Sequence, residues 1–464
     1  MSNSSFKIGG VEVTHLTHDS RSVQKGSCFF ALKGGTTSGA MYVMQAVSNG
    51  AVIIVTNRGA EIPDIPVPVL FVDDVREAMA LSAKRFYKNV VDKMDIIGVT
   101  GTNGKTTCTY IMRHLVGKRV GVVGTLGAYV GDQKLECNLT TPDPIQLHEI
   151  FYKMYNMGVR TVAMEVSAHA IHYRKVAGIN FRVGMFTNLT QDHLDFFGTM
   201  EDYAKTKVDY MLGDRVQSAV VNADDKYGQE ILTARKDAVA YSINDTSYLE
   251  IGQNGSSFHL GRHRFDLQLA GRFNVSNALA CVTAARAIGI SWRKIKKRLA
   301  TVQPVEGRFN ILQHPRGFNI VIDYAHTPDG LEKVLSTARE ICGGNKLISV
   351  FGCGGNRDKG KREIMGAISG KLADFTVVTS DNPRDEAPLA IMYQIEAGIK
   401  SSDNVNYQLV EDRMEATYFA LDMATAGDVV VLAGKGAETT QEIAGVFTPY
   451  IDAEIVKDYI AKVN

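Results

Sequence analysis

From Ile96 to Thr107 the chain reads as a β-branched apolar run, a turn carrying Gly101 and Gly104, and then Lys105, Thr106 and Thr107. Tyr110, Ile111, Met112 and Leu115 come next at helical spacing. A buried-type strand feeding directly into a helix wants sheet neighbours on both sides, which points to an α/β architecture. The loop between them would expose backbone N–H groups at the positive end of the helix dipole, a natural place for an anion. Lys105 adds a cation, and the Thr106 hydroxyl stands where a phosphate-bound Mg²⁺ finds an oxygen ligand. A strict P-loop would have glycine at position 99, where this chain has Val99. A glycine-rich turn can be purely structural, but the Lys-Thr pair after Gly104 favours nucleotide phosphate.

At 464 residues the chain exceeds one ordinary core, and about 150 residues per domain suggests three. The 51 basic and 50 acidic side chains nearly cancel, so bulk charge calls for neither a nucleic-acid nor a membrane partner. No apolar run approaches the roughly 20 residues that span a bilayer. The N-terminal Met-Ser-Asn-Ser-Ser lacks the features of a leader peptide. The cysteines at 28, 108, 137, 281, 342 and 353 form no CxxC pair and read as buried reduced thiols. A cytoplasmic protein, monomeric and acting on small molecules, is expected.

Residues 1–93 read as a small N-terminal α/β domain, with strands at 27–32, 51–55 and 69–72, helices at 42–48 and 76–87, and a linker at 89–93. Residues 94–306 alternate strand and helix as a largely parallel sheet, with an antiparallel excursion at 241–269. Residues 307–464 restart the alternation as a Rossmann-like, doubly wound sheet, with strands at 319–322, 347–351, 375–379 and 429–433. The fold class is therefore α/β in three domains.

Chemistry-bearing residues fall where the strands end, the edge at which such sheets bind ligands. Glu165 closes the apolar run from Thr161 and is placed to be an acidic Mg²⁺ partner beside a P-loop. His193, between Asp192 and Asp195, comes after the next strand; neighbouring carboxylates could fix its tautomer or its metal-binding orientation.

The stretches Gly101–Thr107, Glu165–His169, Thr187–Asp195, Asn222–Asp225, Gly271–Asn277, Val305–Arg308 and Asp323–Pro328 resemble, in order and over nearly the whole chain, the Mur ligase family. These are ATP-dependent amide-forming enzymes of peptidoglycan precursor synthesis. Most similar are members adding a diamino acid as third residue to UDP-N-acetylmuramoyl-L-alanyl-D-glutamate. The resemblance implies ATP binding by Gly101, Thr102, Asn103, Gly104, Lys105, Thr106, Thr107, Asn188, Asn274, Arg308, Asp323 and His326. It implies Mg²⁺ held by Thr106, Glu165 and His193, with Lys207 as a carbamate. Lys105, Glu165, His193 and Lys207 would form the catalytic set. Chemically, CO₂ on a neutral lysine amine gives an anionic oxygen ligand where an ammonium would repel Mg²⁺. Lys205 is the solvated neighbour, since the family's tyrosine-plus-four spacing selects Lys207.

By the same resemblance, Ser20, Thr140, Thr141, Ser167 and Lys175 would contact the UDP-muramoyl dipeptide. The family usually has an arginine at position 175; here Lys175 comes directly after Arg174, and either cation could serve. Ala168 and Ala437 replace a usual serine and histidine. Arg362, Asp381, Asn382, Pro383, Arg384, Gly434 and Glu438 would bind the incoming diamino acid. An arginine fork suits a carboxylate, and Asp381 with Glu438 could take an ammonium. Arg384 favours meso-diaminopimelate over L-lysine, which has no distal carboxylate; lanthionine stays open. A folate polyglutamate ligase would not need the Asp381–Arg384 stretch or Asp19–Arg21. A GTP-binding switch would want Asn-Lys-x-Asp, and the similar string at Asn345 ends in Ile348.

Overall fold

In a computed structural model of the chain, residues 6–34, 37–137 and 139–463 are described. They divide into two compact units, one of Met1–Thr100, Val116–Gly184 and Tyr210–Ser218, the other of Gly101–Leu115, Met185–Asp209 and Ala219–Asn464.

In the first unit, the strands His15–Thr17, Ser27–Phe30, Ala51–Asn57 and Val69–Val72 form a parallel sheet in that order. Alternation sends Cys28, Phe30, Ile53 and Val55 to one face and Phe29 and Ile54 to the other, and a register shift between Ala51 and Ile53 adds Ala51 to the second face; each face has its own core. The helix Val75–Phe86 starts where Asp74 accepts from the amides of Arg76 and Glu77, a cap worth about 1 kcal/mol. It buries Val75, Met79, Ala80 and Ala83, the spacing of one helical face. The expected linker at 89–93 is instead a short 3₁₀ helix, Val90–Lys93, with Val90 and Val91 buried. Two adjacent valines gain more by burial than a solvated tether would allow.

The first unit also holds a middle sheet with strands in the order Gln133–Leu135, Gly127–Val130, Val120–Gly124, Thr161–Glu165 and Asp95–Thr100; in the second unit Ala219–Asn222 pairs in parallel with Val239–Tyr241. Thr161–Glu165 runs parallel to both Asp95–Thr100 and Val120–Gly124. The hairpin through Gln133 is antiparallel, an addition that its Gly-rich polar sequence does not announce.

In the second unit, Thr246–Gly252, Gly255–Leu260 and His263–Leu267 make the antiparallel excursion. The C-terminal sheet has the order Asn310–Gln313, Asn319–Asp323, Val429–Ala433, Leu347–Phe351, Phe375–Val378 and Tyr407–Leu409. All its pairs are parallel except the first. Val321, Val431, Leu347 and Val378 serve one core, and Ile320, Ile322, Val430, Ile348 and Val377 the other. Burial on both faces explains why these strands read as unbroken apolar runs. The edge strands 310–313 and 407–409 escape a sequence reading because their polar, half-exposed sequences carry no such run. A final hairpin pairs Thr440–Ile443 with Val446–Pro449. Among the described residues no helix is long and apolar enough to cross a membrane.

Candidate active site

The loop after Asp95–Thr100 takes the shape the sequence requires. Gly101 has φ +147°, and a Cβ there would lie 1.9 Å from the Thr187 hydroxyl, so only glycine fits. Thr187 Oγ1 donates to the Asn103 carbonyl at 2.6 Å, and the Asn103 amide donates to Asn188 Oδ1 at 2.9 Å. The helix Lys105–Val116 begins directly behind, with Thr106 and Thr107 in its first turn. Lys105 Nζ folds back onto the carbonyls of Gly101 (3.0 Å) and Thr102 (2.8 Å). Asn274 is buried and donates to the Ala270 carbonyl at 2.8 Å; its Oδ1 accepts from Asn277. Its side chain is thus committed at the start of its own helix.

Residues of the C-terminal sheet reach this loop within the same unit. Arg308 donates to the Thr106 hydroxyl at 3.0 Å and lies 4.3 Å over the Tyr324 ring. A hydroxyl oxygen has two lone pairs, so Thr106 keeps one for a further partner. Asp329 accepts from Asn103 Nδ2 at 2.7 Å. Asp323 accepts the amides of Phe309 and Ala325, both at 2.7 Å, and burial pushes its carboxyl up to about 6. It organises the turn carrying Arg308 and His326. His326 Nδ1 lies 2.8 Å from the Tyr324 carbonyl, which directs Nε2 outward.

Asp192 flanks His193 in sequence but acquires its role only in the fold. Its carboxylate lies 3.2 Å from His193 Nε2 and 3.9 Å from His326 Nε2. Burial alone would raise its pKa, but the charges of His193, His326, Lys361 and Lys105 outweigh that and hold it at about 2. Lys361 is a second residue that sequence reasoning misses; it donates to the His326 carbonyl at 2.8 Å. Neither carries a signal beyond its position in a matching or neighbouring stretch.

Lys207 is 1% exposed, and its Nζ donates to the Tyr203 hydroxyl at 2.6 Å. Burial first, and the charge of Lys105 second, drive its pKa well below that of an ordinary lysine, against Asp192 and Asp225. That shift favours the neutral form of the amine over the ammonium. Lys205, by contrast, is exposed and pairs with Asp209. Among the described residues no group of three or more His, Cys, Asp or Glu could hold a metal ion.

At the strand ends of the C-terminal sheet, Asp381, Asn382, Arg384, Gly434 and Glu438 come together. Asn382 donates to Glu438 at 2.9 Å, and buried Lys435 bridges Asn382 Oδ1 (3.0 Å) and Glu438 (2.9 Å). Lys435 is easily overlooked in the sequence although it sits inside the Gly-Lys-Gly stretch. Asp381 Oδ2 is buried without a hydrogen bond, and a Cβ on Gly434 would stand 2.5 Å from it. Pro383 packs its carbonyl against Gly355, where no side chain fits. Arg384 donates to the Gly355 carbonyl at 2.8 Å and is partly exposed. Arg362, expected among the diamino-acid contacts, is bonded within the fold. It is fully buried, bidentate to Glu386 at 2.9 Å, and bonded to Gln394 and the Gly354 carbonyl. A guanidinium at the first turn of Gly360–Leu372 that is closed off in this way props the loop from Gly352 and is not free to receive a carboxylate.

The first unit holds a separate cluster. Glu165 is buried and accepts from the Thr125 amide (2.9 Å) and hydroxyl (3.2 Å). Thr125, not foreseen, also meets Thr140 Oγ1 at 3.2 Å. Thr141 donates to the Glu165 carbonyl at 2.8 Å and accepts from the Ser167 amide at 3.2 Å. Lys175 lies 2.9 Å from Asp143 and 3.4 Å from the Thr141 carbonyl, whereas Arg174 faces Asp74 and solvent. Of the two cations, Lys175 therefore shares the threonine cluster. Ser20 is not part of it; its hydroxyl donates to Gln45 at 2.7 Å.

The multi-domain α/β chain with its nucleotide-type loop and polar strand ends belongs to the Mur ligase family, and is thereby an ATP-dependent ligase. Family models match residues 12–87 (Mur ligase family, catalytic domain), 99–285 (Mur ligase middle domain) and 307–436 (Mur ligase, glutamate ligase domain). The UDP-N-acetylmuramoyl-L-alanyl-D-glutamate--2,6-diaminopimelate ligase of Caldanaerobacter subterraneus subsp. tengcongensis is 42% identical, covering 97% of this chain and 95% of its own. The ligase of that name from Geobacillus thermodenitrificans is 41% identical with the same coverage. A solved structure titled as this ligase covers 99% of both chains at 30% identity and TM-score 0.68. MurF ligase from Thermotoga maritima in complex with ADP shares the fold at 19% identity, 97% coverage of both chains and TM-score 0.62.

Proposed function

We propose that this chain joins an amine of meso-diaminopimelate to the side-chain carboxylate of D-glutamate in UDP-N-acetylmuramoyl-L-alanyl-D-glutamate, with ATP as co-substrate. The ATP γ-phosphoryl passes to the carboxylate, leaving ADP and an acyl phosphate. The neutral amine attacks the acyl carbon, and the tetrahedral intermediate expels phosphate. No side chain becomes bonded to substrate, so positioning and charge stabilisation carry the catalysis.

Lys105 would leave the loop carbonyls for the ATP phosphates, while Gly101 to Thr107 supply amides. Asn188 holds the loop's shape, Asn274 would meet the nucleotide from the start of its own helix, and Arg308, Asp323 and His326 would frame it from the C-terminal sheet. With too few side-chain carboxylates for a protein-only cage, Mg²⁺ would rest on ATP phosphates with Thr106, Glu165, His193 and a Lys207 carbamate. When bound it would neutralise phosphoryl charge. The depressed basicity of Lys207 supports that modification. Ser20, Thr140, Thr141, Ser167 and Lys175 would serve the UDP-muramoyl dipeptide, in a domain of residues 1–93 and the neighbouring edge of the next. Residues 94–306 would serve ATP and 307–464 the amino acid. Soluble nucleotide substrates suit a cytoplasmic monomer.

The observation that carries the specificity is the cluster of Asp381, Asn382, Arg384 and Glu438, which offers a cation and two carboxylates at one strand edge. That matches an amino acid whose far end bears both an amine and a carboxylate. ATP-dependent phosphate release with UDP-muramoyl dipeptide tests it. Turnover should be faster with meso-diaminopimelate than with L-lysine; the reverse order would overturn the reading.

A further inference from the structure

The hairpin Thr440–Ile443/Val446–Pro449 lies beyond the last family model, which ends at residue 436, and it grips the 381–384 tetrapeptide along its length. Gln441 Nε2 donates to the Asp381 carbonyl at 2.8 Å, and the Glu442 amide to Asn382 Oδ1 at 3.0 Å. The Arg384 amide donates to the Glu442 carbonyl at 3.2 Å, and the Ala444 amide to the Arg384 carbonyl at 2.7 Å. Arg384 itself has φ +52°, a left-handed conformation that a non-glycine residue keeps only when its surroundings enforce it. At its side chain, Glu442 Oε2 lies 3.2 Å from Nε, with the two side chains 26% and 22% exposed. Nη1 is held by the carbonyls of Gly355 and Asn382. Two of the guanidinium's three nitrogens are thus engaged from within the fold, and among the described residues Nη2 makes no hydrogen bond.

We infer that Glu442 is a positioning residue for amino-acid specificity, fixing the Arg384 fork in the direction from which a distal carboxylate is met. This rests on the diaminopimelate reading above. Without Glu442 the arginine regains rotamer freedom that substrate binding must then remove, a cost that falls on affinity and not on the chemical step.

The test is steady-state kinetics of Glu442→Ala, Glu442→Gln and Glu442→Asp with UDP-muramoyl dipeptide and meso-diaminopimelate. The alanine and glutamine variants should raise KM for diaminopimelate by about three- to tenfold, keeping kcat and the KM for ATP. The aspartate variant should recover part of the loss. An unchanged KM would overturn the inference, as would a lowered one, which would make Glu442 a competitor for Arg384. A rise shared equally with ATP would reduce it to a structural role. A wild type that fails to ligate diaminopimelate at all would instead sink the underlying function.

Discussion

Lys207 donates to the Tyr203 hydroxyl at 2.6 Å from a side chain that is 1% exposed. No surface lysine would be held this way, because burying an ammonium against a phenol leaves its charge uncompensated. Burial and the charge of Lys105 lower the basicity of this amine, and it is the neutral form of an amine that combines with CO₂, releasing a proton, to give a carbamate. Lys207→Ala should therefore lower kcat by at least ~10²-fold, the scale of a lost charge-stabilising group. CO₂-depleted buffer should slow the wild type as well. Near-normal turnover of the alanine variant would end the assignment.

Arg384→Ala removes the guanidinium of the diamino-acid cluster, whose Nη2 makes no hydrogen bond among the described residues. A hydrogen bond to a charged group contributes about 1.5–3 kcal/mol, or roughly ten- to 150-fold. We expect KM for meso-diaminopimelate to rise by that factor while L-lysine turnover stays unaltered. Equal losses for both amino acids would show that Arg384 supports the loop and not the distal carboxylate.

The nucleotide loop is legible in the sequence because its requirements are local: Gly101 has no alternative, and Lys105 must come after Gly104 to open the helix. Glu165, His193 and the C-terminal strand ends are legible because parallel strands deliver the residues after them to one edge. The parts that stay hidden depend on contacts far apart in sequence. Nothing near Thr125 marks it as the partner of Glu165, 40 residues on. Asp192 gains its place only when His326 folds back to it. Arg362 looks like a receptor because the sequence of its helix does not reveal Glu386, which closes it off.

That pair also sets an acid limit. The Arg362 hydrogen bonds hold the Glu386 carboxyl at about 2, below its usual 4.5. A carboxylate depressed in the fold contributes stability above its unfolded pKa and loses it as pH falls through the folded one. The contribution is therefore whole at neutral pH and fades between about 4.5 and 2. Glu386→Gln should be less stable than wild type in urea at pH 7, and the gap should narrow below pH ~4.5. A gap independent of pH would mean that packing, not ionisation, sets the effect.

Arg413 and Asp452 form a pair buried to the same degree at both ends, with Nε and Nη2 each 3.1 Å from a carboxylate oxygen. They tie the start of the helix Arg413–Met423 to the start of the terminal helix Asp452–Val463. Arg413 also donates to the Ala433 carbonyl at 3.0 Å, just before Gly434. Removing one partner of such a pair strands the other charge in the core and costs about 3–5 kcal/mol. Asp452→Ala should lower the urea midpoint accordingly, without a change of slope. Replacing both with apolar residues, Arg413→Met with Asp452→Leu, should recover much of the loss, since the stranded charge is gone. It should not recover all, because the Ala433 carbonyl loses its donor. A double variant no better than Asp452→Ala would show that the pair's hydrogen bonds, and not its desolvated charge, hold the terminal helix in place.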